Sequence, residues 1–319
     1  MQDVGSLMIL RQNTQHLQRW ITALASVVAA FGAVAAGTGI VTAWGPTHRA
    51  FITLRGESVY LQGGGLYARE SVSGAAQAIG QDFVTLLVAV PLLLLATRMA
   101  STGSVRGLLL RAGALAYFAY TYLLMAFGGT YNELFLIYVA LFSASSFGFI
   151  MSIVSVDANR LHDQFSPRFA RRRVGWALVC FGALLAMMWL GRIVPSLVSG
   201  KTPPGLDSYT TLFVQAGDLG IVIPTAILAG ILLVRGRAFG YLLGAVMLVQ
   251  ASAFGLALMA MIVSMTAAGV EVVPVEVVVF SLLALVFLGA TAHTLSNIGP
   301  QTSPVGRFGR EPLINSPWG

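Results

Sequence analysis

Charged residues are scarce in this chain, and their scarcity excludes a soluble fold. Asp, Glu, Lys and Arg make up 10% of the residues, whereas a soluble domain is usually about a quarter charged. Hydrophobic residues make up 56%, and the mean hydropathy is +0.80. A water-soluble fold could not bury that much apolar surface, so most of the chain is predicted to lie in lipid.

Lysine, cysteine and histidine are also rare, and each shortage excludes a class of site. The only lysine, Lys201, lies in a loop beside two prolines, so a retinal Schiff base, which needs a lysine buried in a helix, is excluded. The single cysteine, Cys180, excludes an internal disulfide and a cysteine metal cage. The four histidines are far apart in sequence, which disfavours a zinc or haem site. We therefore predict no metal and no cofactor.

Catalytic and nucleotide-binding motifs are missing as well. The sequence contains no Walker P-loop, HExxH or GxSxG motif, and GGGL at Gly63–Leu66 is not followed by GK[ST]. An intramembrane enzyme acting on a lipid would need convergent acid–base or metal groups. The sequence offers too few of these, so we predict no catalytic residues and disfavour an enzyme.

What the sequence has instead is apolar runs of about membrane-spanning length. Crossing a hydrocarbon core of about 30 Å takes roughly 20 helical residues. The runs do not alternate apolar and polar residues as β-barrel strands do, so we predict an all-α integral membrane protein with about eight transmembrane helices. The first run exceeds the length of a signal-peptide core, which favours a retained helix. The predicted spans are Trp20–Trp44, Phe83–Met99, Leu108–Phe127, Leu134–Val156, Val174–Leu197, Leu212–Val234, Tyr241–Met265 and Val273–Leu295.

Arginines occur in every second link between these runs. The positive-inside rule assigns such links to the cytoplasm, which predicts a cell-membrane protein with both termini cytoplasmic. Arg171, Arg172 and Arg173 form the densest basic run. We predict that they are topology anchors that contact anionic lipid headgroups, and that the net charge of +7 does not indicate nucleic-acid binding.

The long link Gly45–Asp82, on the predicted outer side, has the composition of a small folded element. Its FITLR and SVYLQ segments favour β-structure, and Gly63–Gly65 follows them. This pattern predicts an extracytoplasmic β-hairpin that turns near Gly63–Gly65 and packs on the helix ends. A membrane or extracytoplasmic protein partner is one candidate to bind it.

The two halves of the chain share a pattern that predicts two four-helix repeats in parallel orientation. In each half, glutamine, glycine and aspartate precede a proline-bearing span that ends at arginine, which matches Asp82 to Asp218 and Pro91 to Pro224. The alternative is that aspartate and arginine are simply common at helix ends. The predicted organisation is a first half at 1–156 with the hairpin loop at 45–82, a basic cytoplasmic linker at 157–173, a second half at 174–296, and a cytoplasmic tail at 297–319.

The two aspartates are candidate functional residues because a charge at membrane depth is costly. Asp218 is followed by a long uncharged run, and Asp82 takes the matching position in the first half. The alternative for both is a residue at a helix N-terminus, favoured by the helix dipole and wetted by headgroup water. Asp218 is predicted to matter more, since the residues before it are more apolar.

Four further residues complete the candidate site. Arg192 either reaches outward to the headgroups or pairs with Asp218 or Asp207, and the outward position is favoured. Tyr117, Tyr120 and Asn132 form an aromatic and amide patch toward the outer side. It is either the interfacial aromatic belt or a pocket lining. Arg111, one turn into the third span, is expected to reach the cytoplasmic headgroups.

Three classes of function fit these features to different degrees. The first is a carrier or channel for a small solute or ion, working between the two halves. The second is a non-transporting sensor or assembly subunit that binds a partner through its outer hairpin, and the third is the disfavoured lipid enzyme. A carrier should have a water-accessible cavity between the halves that reaches the membrane midplane, whereas a partner module should pack its helices tightly and expose an apolar patch on the outer element.

Overall fold

A computed structural model describes residues 2–43 and 47–299, with side chains from residue 16 onward. Within this part it contains eight helices long and apolar enough to cross a membrane, together with one two-stranded sheet, which confirms the predicted fold class. The first helix runs from Gln2 to Val41, and a short helix, Ala158–His162, lies between spans 4 and 5. Spans 1 to 8 are His16–Val41, Val72–Ser101, Val105–Phe127, Phe135–Val154, Arg171–Ser199, Phe213–Val234, Ala238–Ala267 and Pro274–Ser296.

Span 2 begins far earlier than predicted, at Val72 instead of Phe83. Ser71 caps it, because its hydroxyl accepts a hydrogen bond from the Gly74 N–H at 3.0 Å. Hydropathy missed the added turns because Gln81 and Asp82 are polar, yet both are buried against protein. The other spans agree with prediction to within four residues at each described end. Trp44, the predicted end of span 1, and tail residues 300–319 lie outside the described residues.

The predicted hairpin is present, but the predicted position of its turn is wrong. Strands β1 (Arg49–Ile52) and β2 (Ser58–Leu61) pair antiparallel, with Ile52 opposite Ser58. The turn is at residues 53–57, where Gly56 has a φ of 81° and the Thr53 N–H donates to the Glu57 carbonyl at 2.9 Å.

Gly63 and Gly65 instead allow the loop to approach the segment that follows span 1. Both have positive φ, and an added Cβ would lie 1.9 Å from the Thr47 carbonyl oxygen at Gly63 and 2.1 Å from that of Thr42 at Gly65. The glycines are therefore needed for packing of the loop, not for the strand reversal.

The links between spans gather at two ends of the molecule. The hairpin end comprises the hairpin and the loops at 128–134 and 200–212, which hydrogen bond to one another. The linker end contains the Ala158–His162 helix and the predicted anchors. There, the Arg171 guanidinium donates to the carbonyls of Leu233 and Val234, at 3.2 and 2.6 Å. Arg172 and Arg173 are exposed beside it.

Spans 1 to 4 pack as a bundle in which span 4 closes on span 1. In the second half, span 5 packs on 6, span 6 on 7 and span 7 on 8. Span 7 also packs on spans 2 and 3, closely enough that an added Cβ on Gly80 would lie 2.6 Å from backbone atoms of Ala260 and Met261. Spans 5 and 8 are the least buried, since only 11% of the most apolar stretch of each is buried inside the protein.

We call the contact of spans 2 and 3 with spans 6 and 7 the seam.

Spans 2 and 6 share an unusual local structure. Each contains five π-helical residues, Thr85–Ala89 and Asp218–Val222, and each has its proline two residues after that segment. The sequence separation between Pro91 and Pro224 recurs over the following turn and the start of the next span. It relates Gly103 to Gly236, and both glycines have positive φ. It also relates Val105 to Ala238, which are the first residues of their helices. Finally, it relates Gly107 to Gly240, and both of these glycines pack on the end of the preceding helix.

This shared register changes one predicted pairing. Aligned on the prolines and the π-helical segments, Asp218 corresponds to Thr85, and Asp82 corresponds to Gln215. The sequence separation between Asp82 and Asp218 is therefore three residues longer than the separation between Pro91 and Pro224. The sequence pattern missed the offset because it compared the order of residue types and not their spacing.

Candidate polar site at the seam

Two tyrosines of span 3 form the centre of the candidate site. Tyr117 and Tyr120 are buried and lie one helical turn apart, so they project from the same face. Phe254 of span 7 packs on both, with ring centroids 4.9 Å from Tyr117 and 5.2 Å from Tyr120. Because both rings are buried against span 7, their position differs from that of an interfacial belt, whose side chains face the headgroup region.

Each tyrosine hydroxyl reaches one of the π-helical segments. The Tyr117 hydroxyl is 2.9 Å from the Thr85 hydroxyl in span 2, and the Tyr120 hydroxyl donates to Asp218 Oδ1 in span 6. Thr85 and Asp218 are the first residues of the two segments. The Tyr120–Asp218 hydrogen bond therefore joins the first half to the second, at positions where π-helical turns often mark functional sites.

Asp218 is held only by neutral donors among the described side chains. Besides Tyr120, the Trp189 indole N–H donates to Asp218 Oδ2 at 2.8 Å. The side chains described from residue 16 onward provide no ion pair for this carboxylate. A half-buried carboxylate without a basic partner is costly as an anion at this depth, so it is suited to accept a proton or a cation.

Arg192 does not pair with either predicted aspartate. Its guanidinium donates to Glu276 Oε1 at 2.8 Å and lies 5.6 Å from the centre of the Trp189 ring. The pairing with Asp218 or Asp207 is therefore wrong. Arg192 instead links spans 5 and 8 at the hairpin end, and it contacts the indole that donates to Asp218.

Asp82 lies in a separate polar cluster within the first half. It is 6% exposed, and its Oδ2 accepts a hydrogen bond from the Tyr67 hydroxyl at 2.6 Å. Burial and the neighbouring Asp82 carboxylate raise the pKa of Tyr67 well above its ordinary value, which keeps the phenol protonated. Asp82 is thus more enclosed than Asp218, opposite to the order expected from the flanking sequence. Among the described residues, the two aspartates share no hydrogen-bond partner.

Asn132 belongs to the Asp82 side of the molecule. It is buried, and its Oδ1 accepts from the Leu134 N–H at 3.0 Å, which shapes the turn before span 4. The turn leads into span 4, where Tyr138 stacks on Tyr122 with ring centroids 5.7 Å apart. The predicted candidates therefore divide into two groups, one at the seam and one in the first half.

The loops at the hairpin end are joined by a buried carboxylate that sequence analysis missed. Glu70 accepts from the Thr130 N–H at 2.8 Å, from the Thr130 hydroxyl at 2.9 Å and from the Tyr209 hydroxyl. Burial, followed by the charge of Glu70, raises the pKa of Tyr209 well above its ordinary value, so the phenol remains a donor. No sequence pattern indicated this contact, because its members come from three separate loops.

Sequence analysis also missed Thr85, Trp189 and Tyr67. For two of these residues, the spacing in the sequence could have indicated their role. Trp189 precedes Arg192 by one helical turn, and Thr85 has the same spacing to Pro91 as Asp218 has to Pro224. Tyr67 had no such signal, because its role depends on how a loop folds over span 2.

The expectation that Arg111 reaches the headgroups is wrong. Its side chain is 1% exposed and points into the protein, where its Nη2 donates to Gln18 Oε1 of span 1 at 2.8 Å. Among the described residues, its Nε has no hydrogen-bond partner. The prediction that Arg111 lies near the start of span 3 is correct. The direction in which its side chain points depends on the rotation of the helix about its axis, which the sequence pattern did not give.

Comparison with known proteins gives no match to any family model, curated protein or solved structure.

Proposed function

We propose that this multi-pass membrane protein is a carrier for a small cation or a protonated solute, built from two duplicated four-helix units. The common register of the π-helical segments, prolines and glycines supports the duplication. Four spans in each unit would relate the units by an axis along the membrane normal. The alternation of arginine-rich links supports a cytoplasmic linker end and an outer hairpin end.

The observation that carries the proposal is the position of Asp218. Its carboxylate bonds across the seam to Tyr120, has only neutral donors among the described residues, and remains partly accessible. A cation or a protonated amine would neutralise this carboxylate and compete for its lone pairs. Binding would therefore weaken the contact between the halves, which is a direct link between ligand binding and movement at the seam.

The packing of the seam supports such movement. Span 7 packs extensively on spans 2 and 3, whereas span 6 meets span 3 mainly through residues 213–217, at its hairpin end. The π-helical turn that begins at Asp218 interrupts the regular hydrogen-bond ladder of span 6. Span 6 thus has both a weak contact and a local hinge at the carboxylate.

Proteoliposomes provide the test, because they need no knowledge of the natural substrate. Concentration jumps of Na⁺, K⁺, ammonium or guanidinium should evoke charge movement, and a trapped pH dye would detect electroneutral exchange with protons. At least one cation should give a signal above that of empty liposomes. Asp218→Asn should lower it at least tenfold, because the amide cannot balance a cation.

Glu276→Gln is the matched control for this test. Glu276 is an acidic residue at the same end of the molecule, but its side chain is 38% exposed and is paired with Arg192, a positive charge. This variant should retain most of the signal. Absence of any signal from the unmodified protein, or full activity of Asp218→Asn, would contradict the carrier proposal.

A second candidate function, a partner-binding subunit, is favoured by the surface of the hairpin. Ile52 and Tyr60 are each 63% exposed and Leu54 is 92% exposed, so apolar side chains cover the hairpin turn and strands. The turn itself is held in place, since the Arg55 guanidinium donates to the carbonyls of Tyr209 and Asp207 at 2.8 and 2.5 Å. A firmly held element with an apolar surface is suited to protein contact.

Site-specific crosslinking distinguishes this candidate from the carrier. A photoreactive residue at position 54 should give a discrete protein adduct in native membranes, and Ile52→Glu should abolish it by placing a charge in the apolar surface. A photoreactive residue at the exposed position 172, at the linker end, serves as the control. Crosslinking only to lipid at position 54 would remove the partner function.

A further inference from the structure

The cluster around Asp82 contains a second feature that the seam does not explain. The Tyr138 hydroxyl is buried and has no hydrogen-bond partner among the described residues. The turn that carries Asn132 lies beside the loop that carries Tyr67, because Leu134 packs in the same apolar cluster as Tyr67 and the Arg69 guanidinium donates to the Tyr131 carbonyl at 2.5 Å. Tyr138 follows Leu134 by one helical turn and therefore projects from the same face of span 4. Four oxygen-bearing side chains thus converge, and one polar atom is left unsatisfied.

The charge of this cluster is also unbalanced. Asp82 has one hydrogen-bond donor, Tyr67, and no ion pair among the described side chains. A buried carboxylate at membrane depth is neutralised either by a proton or by a cation bound beside it. The other members of the cluster are phenols and an amide, which are neutral and can supply oxygen ligands.

We propose that Asp82, Tyr67, Tyr138 and Asn132 bind one monovalent inorganic cation within the first half of the protein. A single carboxylate balances one positive charge, whereas divalent ions usually take several carboxylates. The space is also restricted, because an added Cβ on Gly39 would lie 1.9 Å from Asp82 Oδ2 and 2.9 Å from the Tyr67 hydroxyl. Such close packing favours an alkali ion over an organic ammonium group.

This site is distinct from Asp218 and does not depend on transport. Asp82 and its partners come from spans 1, 2 and 4 and from the loops before spans 2 and 4, all within the first half. Asp218 is bound by residues of spans 3 and 5. An ion at Asp82 would hold span 2 to the loop that carries Tyr67, and in a carrier it would serve as a coupling or structural ion.

Thermal unfolding of the full-length protein in detergent tests the proposal. The unfolding midpoint is compared in LiCl, NaCl, KCl and choline chloride at one ionic strength. The midpoint should be several degrees higher in at least one alkali chloride than in choline chloride, because an ion that binds only the folded state stabilises it. Asp82→Asn should abolish the difference.

Two more variants keep the outcome decisive. Tyr138→Phe removes one oxygen ligand without a change of shape, and it should raise the salt concentration needed for half of the effect at least threefold, even if Asp82→Asn does not fold. Asp218→Asn should keep the alkali-specific difference whether or not it abolishes transport. Equal midpoints in all four salts, a difference that persists in Asp82→Asn, or one that is lost in Asp218→Asn would overturn the proposal.

Discussion

Buried polar side chains in this protein are arranged so that hydroxyl and amide groups, not opposite charges, surround the ionisable ones. Asp82 and Asp218 bond to phenols and an indole, and Arg111 bonds to Gln18. Neutral partners leave the net charge of such a site open to change by a proton, an ion or a solute. This feature separates the candidate sites from purely structural ion pairs such as Arg192–Glu276.

At the residue scale, Gln18 should be important for stability because it is the described acceptor for a fully buried guanidinium. Gln18→Leu should lower the free energy of unfolding by about 1–3 kcal/mol, the cost of leaving a buried charged donor without its partner. The same change in an Arg111→Met background should cost much less. A double-mutant cycle from chemical unfolding in detergent measures the difference. Equal costs in both backgrounds would contradict the role assigned to this pair.

At the scale of elements, glycines set how closely the spans approach. Gly80 of span 2 faces the backbone of span 7, and Gly175 of span 5 faces Gly230 of span 6, where an added Cβ would lie 2.8 Å from the Gly230 carbonyl oxygen. Small residues at such contacts are typical of helix packing in membranes. At Gly80 the two halves therefore meet through close backbone contact, in addition to the aromatic contacts of Phe254 with Tyr117 and Tyr120.

Gly80→Ala should accordingly destabilise the protein by about 1–3 kcal/mol, because the backbone it would strike cannot rotate away. Gly191→Ala in span 5 is the control, since an added Cβ there meets no described atom within 4 Å. It should be neutral, or stabilising by up to about 1 kcal/mol, through the better helix propensity of alanine. The unfolding midpoints of the two variants provide the measurement. Similar effects would show that spans 2 and 7 are not in close contact.

At the scale of the whole molecule, the distribution of charge predicts that the linker end faces the cytoplasm. The linker end carries the exposed Arg172 and Arg173, and the hairpin end carries Leu54. Anionic lipid and the positive-inside rule favour the arginines on the cytoplasmic side. The hairpin, with its apolar surface, would then face outward.

Cysteine accessibility tests this orientation. In a Cys180→Ala background, Leu54→Cys should react with a membrane-impermeant thiol reagent in intact cells, because this side chain is almost fully exposed. Arg172→Cys should react only after the membrane is permeabilised. The reverse labelling pattern would invert the topology, and with it the assignment of the hairpin as the outer element.

The sequence alone determined the class of this protein and nearly all its span boundaries. Apolar length is sufficient for this, since a lipid solvent requires every spanning segment to satisfy its own backbone hydrogen bonds as a helix. The hairpin and the candidates Tyr120 and Asp218 were also predictable, because turn residues and charges at membrane depth are local features. The exact position of the turn was not predictable, because Gly63 and Gly65 are used for packing on the segment that follows span 1.

Only the tertiary structure decided which polar residues meet. Helix rotation turned Arg111 inward to Gln18, and the fold of the loops placed Tyr67 on Asp82 and Tyr209 on Glu70. The three-residue offset between the two aspartates became visible through the π-helical segments, whose existence depends on how spans 2 and 6 pack. These contacts join residues far apart in sequence, and their energies depend on distance and burial, which sequence order does not specify.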